Sequence, residues 1–332
     1  MAVGKLNNVL DTTIGKALSV LYGSVGKIGG SVFSPSDPAA RGVFGGGFNT
    51  SYVNVNTMDY IDISTTGNAS DFGDLSVARR YPIGVSSSTR GVFAGGYSAG
   101  SGRVTTMDYI TIASGGNALD FGDLTEGKYG PAGLGNSTRG IIAGGSNPSA
   151  SPSKIIDYIT IATTGNATYF GDLTIVKDGP FGASSSTRGI FGGGYDYTNI
   201  IDYITIDTTG NASDFGDLSA VRAWGCAVSS STRCVFIGGD NAGVYTNIIE
   251  YVTIADFGNT TDFGDLRIGK CNLGGVSSSL RGVVGGGWSP NGQEIDMEYI
   301  VIATKSNSSN FGNLSLKRSH LCGLSDSHGG LA

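Results

Sequence analysis

Several short patterns in this 332-residue sequence carry side chains that do chemistry elsewhere. Asp71-Phe72-Gly73 has the letters of a tripeptide whose carboxylate holds magnesium during phosphoryl transfer. It recurs at Asp120, Asp214 and Asp262, and no catalytic-loop or lysine-strand motif accompanies it. The four cysteines (Cys226, Cys234, Cys271, Cys322) have no CxxC spacing, and the histidines are His320 and His328. That set does not form a zinc site, and it suits buried, reduced thiols. Two charged sets remain: Arg41, Arg90, Arg139, Arg188, Arg233 and Arg281, and Asp59, Asp108, Asp157, Asp202, Glu250 and Glu298. Charged residues make up only 14% of the chain, so a charge kept at regular intervals implies a partner. The expectation is one arginine–carboxylate pair, or one arginine–backbone network, per interval. The aspartates Asp74, Asp123, Asp172, Asp217 and Asp265 compete for the arginines.

The intervals reveal what positions these groups. Each arginine opens a small apolar run ending in glycines, as in Arg90-GVFAGG and Arg188-GIFGGG, and successive arginines are 49, 49, 49, 45 and 48 residues apart. Phe-Gly-Asp-Leu follows each acidic-Tyr strand 13 residues after the acid, with Phe311-Gly-Asn-Leu in the last unit. From each phenylalanine to the next arginine position the step is 18, while the arginine-to-acid step varies between 14 and 18. Constant steps mark a scaffold, and the variable one marks an exposed loop. Glycine contributes 56 residues, about 17% against a usual share of roughly 7%, which excludes a long helical bundle. About 48 residues per unit accommodate four strands with tight turns. The fold class is therefore all-β: a six-bladed propeller of four-stranded blades. Cys322–Gly330 aligns with Ile83–Gly91, so a C-terminal strand is expected to complete blade one and close the ring. Leu6, Leu10, Ile14, Leu18, Leu21, Val25 and Ile28 lie at helical spacing, predicting an amphipathic helix or anchor over residues 1–30 before a propeller over 31–332. Lys5, Asp11, Lys16 and Lys27 interrupt that stripe, so no membrane span is expected.

The Gly-Gly strand followed by a tyrosine strand, at about 50 residues per blade, resembles the kelch-type propeller repeat, with phenylalanine where that repeat has tryptophan. The consensus DYITI-TTGNA-DFGDL-SSSTRGVFGGG, from residue 41 to about 330, is similar to propeller repeats of virion proteins of marine tailed bacteriophages. That resemblance implies a non-enzymatic structural protein located in the virion, as a tail, tail fibre or capsid appendage. It further implies a role in assembly or host adsorption, with other virion proteins and a host-surface glycan or receptor as partners. A homo-oligomer is compatible with an apolar N-terminal helix. The alternatives are a carbohydrate-binding lectin and a glycan-processing propeller enzyme. Ser70-Asp71-Phe72-Gly73 is similar to the sialidase box, but the closing Thr-Trp is missing and every candidate carboxylate is repeated.

The net charge of −6, with no basic run longer than Arg79-Arg80, argues against nucleic acid as a partner, and no cofactor motif is present. The candidate binding residues lie in the variable loops, approximately 48–57, 97–106, 146–155, 195–200, 240–249 and 288–296. They are Phe48, Tyr52, Tyr97, Tyr195, Tyr197, Tyr245 and Trp288, set among Asn, Ser and Gly. Aromatic bodies with polar tips beside small residues suit recognition of sugars or protein surfaces. The sequons at Asn68, Asn166 and Asn211 share one turn position and read as turn geometry.

Overall fold

The computed structural model describes residues 40–195 and 198–331, and the helix expected over residues 1–30 lies outside them. Six antiparallel four-stranded sheets form six propeller blades. In blade two, Ile83–Ser86 is innermost, followed outward by Arg90–Ala94, Thr106–Thr111 and Leu119–Asp123. The other blades repeat this plan. In blade one the innermost strand is Cys322–Ser325, paired to Arg41–Gly45 with Gly42 opposite Ser325 and Gly45 opposite Cys322. The end of the chain thus closes the ring, and blade one is assembled from both extremities of the propeller.

The strand sequences explain the layering. The second strand is almost wholly apolar or glycine and buried (Val43, Phe44; Val92, Phe93; Ile141, Ile142). The third strand alternates, burying Met58, Ile61 and Ile63 while Asp62 faces solvent. Six apolar clusters result, each shared by two adjacent blades; one joins Phe72 of blade one to Phe93 and Ile110 of blade two. Among the described residues there is no single central core. Each blade is held by its neighbours, as expected of a repeat architecture in which one unit cannot bury its own faces.

The outermost strand carries a latch. A β-bulge sits at the Phe-Gly step in every blade, for example between Asp120 and Gly122. It turns Phe121 into the core and lays the glycine against the next blade's turn. A Cβ on Gly73, whose φ is +136°, would lie 2.4 Å from the Gly116 carbonyl oxygen. The Asn117 side chain in that turn then accepts the Asp74 N–H at 3.1 Å. Asn166, Asn211, Asn259, Asn307 and Asn68 make the same bond around the ring, the last to the Asn313 N–H at 3.0 Å. The sequon asparagines therefore fasten blade to blade. The variable loops follow the second strand, and three of them carry small two-stranded ribbons, such as Tyr97–Ser98 with Gly102–Arg103. Among the described residues no helix is long and apolar enough to cross a membrane.

Candidate functional site

The repeated arginines and carboxylates do not meet. Arg41 donates to the carbonyls of Ile112 and Ala113 on blade two, at 3.0 and 2.8 Å, and its guanidinium lies 4.6 Å from its own blade's Tyr60 ring. Arg90, Arg139, Arg188, Arg233 and Arg281 repeat this clamp, Arg281 closing onto Ile63 and Ser64 of blade one. Of the two expectations, the arginine–backbone network describes these residues.

The carboxylates pair with cations the sequence reading did not single out. Arg318 meets Asp59 at 2.9 Å, Arg79 meets Asp108 at 2.9 Å, and Lys177 meets Asp202 at 3.3 Å. Lys128 with Asp157, Arg222 with Glu250 and Lys270 with Glu298 complete six buried pairs. Each cation lies seven residues after the phenylalanine of Phe-Gly, on the approach to the next innermost strand, Lys177 as the last residue of the strand Thr168–Lys177. Burial lowers the pKa of Arg79, Arg222, Arg318, Lys128 and Lys177, and the facing carboxylate opposes that shift. Arg318 also donates to the Thr57 carbonyl at 2.7 Å, and Lys177 to that of Ile200 at 2.6 Å. These groups knit the linker to its blade and are too committed to act on a ligand.

Two residues further along each linker, the six blades meet around the axis at Tyr81, Gly130, Gly179, Trp224, Asn272 and His320. Each donates its N–H to the carbonyl of the preceding blade's residue: Tyr81 to His320 at 2.7 Å, Gly130 to Tyr81, Gly179 to Gly130, Trp224 to Gly179, Asn272 to Trp224, and His320 to Asn272 at 2.7 Å. The result is a closed ring of six peptide hydrogen bonds at the channel mouth. All six residues have φ between +56° and +67°. Glycine adopts this conformation freely, whereas a residue with a Cβ there costs on the order of 1 kcal/mol. Tyr81 and Trp224 therefore carry strain that Gly130 and Gly179 avoid, and Asn272 and His320 carry less, because their side chains tolerate this region. Those glycines have a second reason: a Cβ on Gly130 or Gly179 would strike the Trp224 ring at 2.4 or 2.5 Å, so the indole lies against both.

The side chains on this ring form an aromatic group. The Tyr81 ring lies 4.2 Å from Tyr129, 4.9 Å from Trp224 and 4.2 Å from His320, centroid to centroid. Four of the expected loop residues join it. Phe48 lies 5.8 Å from His320, Trp288 6.4 Å from His320, and Tyr97 6.2 Å from Tyr129. Tyr52, 66% exposed, lies 6.4 Å from Trp288. Tyr195 is 44% exposed and pairs through its backbone with Asp178, while Tyr245 pairs with Asp240 in its ribbon. Tyr197 lies outside the described residues. Arg80 stacks over Tyr97 at 4.4 Å and Phe48 at 5.0 Å, and Arg103 over Tyr129 at 5.3 Å.

Burial, assisted by Arg80, lowers the His320 pKa to about 3, and burial raises those of Tyr81 and Tyr129. At neutral pH these groups are uncharged; they stack and exchange hydrogen bonds. Tyr81, Tyr129 and Trp224 had no sequence signal beyond their fixed distance from the Phe-Gly bulge. Their types differ from blade to blade, so a search for repeats passes over them.

The opposite end of the channel is filled by the chain itself. His328 lies with Nε2 3.0 Å from the Ser86 carbonyl, and its Nδ1 accepts the Gly330 N–H at 3.1 Å. Gly330 packs against the Gly135 carbonyl and the Ser184 hydroxyl. Serines of the innermost strands bond around this end, Ser325 to the Ser277 carbonyl and Ser86 to that of Ser325, both at 2.7 Å. No protein-family model matches the chain, and no curated protein matches it by sequence.

Proposed function

We propose that this chain is a non-enzymatic virion component, a tail, fibre or capsid appendage, that presents its loop face to a neighbouring virion protein or a host-surface glycan. The observation that carries the recognition part is the contrast between the two ends of the axis. One end is packed with the chain's own tail, while the other gathers Tyr81, Tyr129, Trp224, Phe48, Tyr97 and Trp288 on a latched, rigid disc. Aromatic groups with polar tips on a stiff frame give contact area at little entropic cost. The virion part rests on the resemblance of the repeated sequence to phage propeller repeats.

A gold-labelled antibody against the chain, imaged on purified particles, tests the assignment. Label at a fixed place on the particle supports it, and particles that lack the chain refute it. A free lectin is the second reading, favoured by the uncharged character of the aromatic group; glycan binding by a chain absent from particles would select it. Turnover of a labelled glycan would instead select the propeller enzyme.

A further inference from the structure

We infer that the loop face over blades one and two is a protein-docking surface anchored by Arg80 and Arg103, and that its occupant is an acidic segment of a partner protein whose carboxylates pair with these two guanidinium groups. The inference rests on the recognition reading above and chooses between its two kinds of partner.

The first argument is a census of the arginines. Of the 12 in the chain, six clamp the carbonyls of the next blade, and Arg79, Arg222, Arg267 and Arg318 meet carboxylates. Arg80 and Arg103 remain, and among the described residues neither meets a carboxylate. Their polar contacts are neutral: Arg80 reaches Asn54 Oδ1 at 3.4 Å and the Tyr129 hydroxyl, and Arg103 donates to Ser146 Oγ at 3.1 Å. A guanidinium carries five N–H donors, so most of each fork is unused. Nitrogens of Arg79, Arg222 and Arg318 are buried without a partner, but none of Arg80 or Arg103 is, so the unused donors of this pair reach solvent.

The second argument is geometry. Arg80 lies 5.0 Å from the Phe48 ring centroid and 4.4 Å from that of Tyr97, and Arg103 lies 5.3 Å from that of Tyr129. Stacking holds the plane of a guanidinium and leaves its edge for a bidentate carboxylate. Both arginines contact Tyr129, and Arg103 is paired by backbone to Tyr97, so they belong to one patch. Neither is part of the repeated scaffold. The position of Arg80 is Tyr129, Asp178, Ala223, Cys271 and Ser319 in the other units, and that of Arg103 is Tyr245 and Gln293 in the other two ribbons. Glu126, in the following linker, is committed to Lys128 and Ser153.

The relief of the face selects a protein over a sugar. The axial cavities hold about 60 and 100 Å³, against roughly 300 Å³ or more for a small-molecule pocket, and the axial rings are packed on one another. The exposed apolar surface lies instead on the loop of blade one, where Tyr52 and Val53 are 66% and 55% exposed beside Phe48. Asn49 Oδ1 accepts the N–H groups of Ser51 and Val53 at 3.0 and 3.1 Å, which shapes that loop before a partner arrives. Arginine and tyrosine are residues on which interface energy concentrates, and two uncompensated cations make the complementary partner acidic.

The test is selection from a random peptide display library on the full chain. Calorimetry with the best selected peptide follows on wild type and on the Arg80→Gln, Arg103→Gln, doubly substituted and Arg267→Gln chains, and an array of sialylated and sulfated oligosaccharides forms a second arm. The expected result is peptides rich in Asp and Glu, weakened about tenfold by either single substitution and further by the double. Arg267→Gln removes the same charge beside an outermost strand and should weaken binding less than about twofold. Arg80→Lys should recover only part of the loss, because it restores the charge and not the planar fork. Circular dichroism checks the fold of each variant. Selected peptides without acidic enrichment, or binding that the doubly substituted chain keeps, overturn the anchor. Binding to acidic oligosaccharides alone overturns the protein occupant and leaves loop-face recognition standing. A chain that decorates particles and binds neither overturns this inference alone, whereas a chain that binds neither and is absent from particles removes the function proposed above as well.

Discussion

Arg79 and Tyr81 are two residues apart on one linker, and their counterparts around the disc behave in opposite ways. The first position is a buried cation in all six linkers, each facing a carboxylate. The second is Tyr, Gly, Gly, Trp, Asn and His in the same backbone conformation. Groups that hold blades together recur because each blade needs them. Groups that meet on the axis need not recur, because the axis is shared. Repetition thus separates scaffold from candidate site at a spacing of two residues.

The largest expected effect removes the closure. A chain ending at Lys317 loses Arg318 from Asp59 and leaves Arg41–Gly45 without its inner partner, and calorimetry should then show no cooperative unfolding. Lys177→Met leaves Asp202 buried without its cation, which should cost about 3–5 kcal/mol in urea unfolding. Adding Asp202→Leu should recover most of that loss, since an apolar pair can replace a buried ion pair. A single variant as stable as wild type would remove the cation ring from the scaffold.

Acid should weaken the fold through both ends of the axis. Burial depresses the pKa of His320 to about 3 and lowers that of His328. The unfolded chain therefore takes up protons first as pH falls below about 6.5. Stability is full above that value and declines toward the folded pKa, by at most about 1.4 kcal/mol per pH unit for each histidine. His320→Asn should flatten the slope measured between pH 6 and about 4. The smallest scaffold effect belongs to the part-exposed clamp: Arg188→Met should cost about 1 kcal/mol in the same unfolding assay, because the stacking and hydrogen bonds lost are partly solvated.

Much of this architecture is legible in the sequence, and the reasons are physical. Constant steps of 13 and 18 residues reflect strands that must stay in register, and the alignment of Cys322–Gly330 with Ile83–Gly91 exposes the closure. The carboxylates were visible as a set, but their partners were hidden because the cation alternates between arginine and lysine in dissimilar contexts such as Val-Ala-Arg79 and Ile-Gly-Lys270. The arginines that do read as a set turned out to bind carbonyls, a partner present at every residue and so marked by no sequence pattern. The axial ring was illegible for a different reason. Positive φ announces itself when the residue is glycine, and here four of six are not. Loop aromatics were found from composition, and Phe48, Tyr97 and Trp288 do border the mouth, but its centre lies on linkers of constant length.

Denaturant unfolding of Trp224→Gly beside Lys177→Met tests the separation of site from scaffold most directly. Relief of left-handed strain, about 1 kcal/mol, should offset part of the lost ring contacts, leaving Trp224→Gly less destabilised than Lys177→Met, which falls by about 3–5 kcal/mol. A Trp224→Gly protein as destabilised as Lys177→Met would make the indole a structural plug and contradict the account.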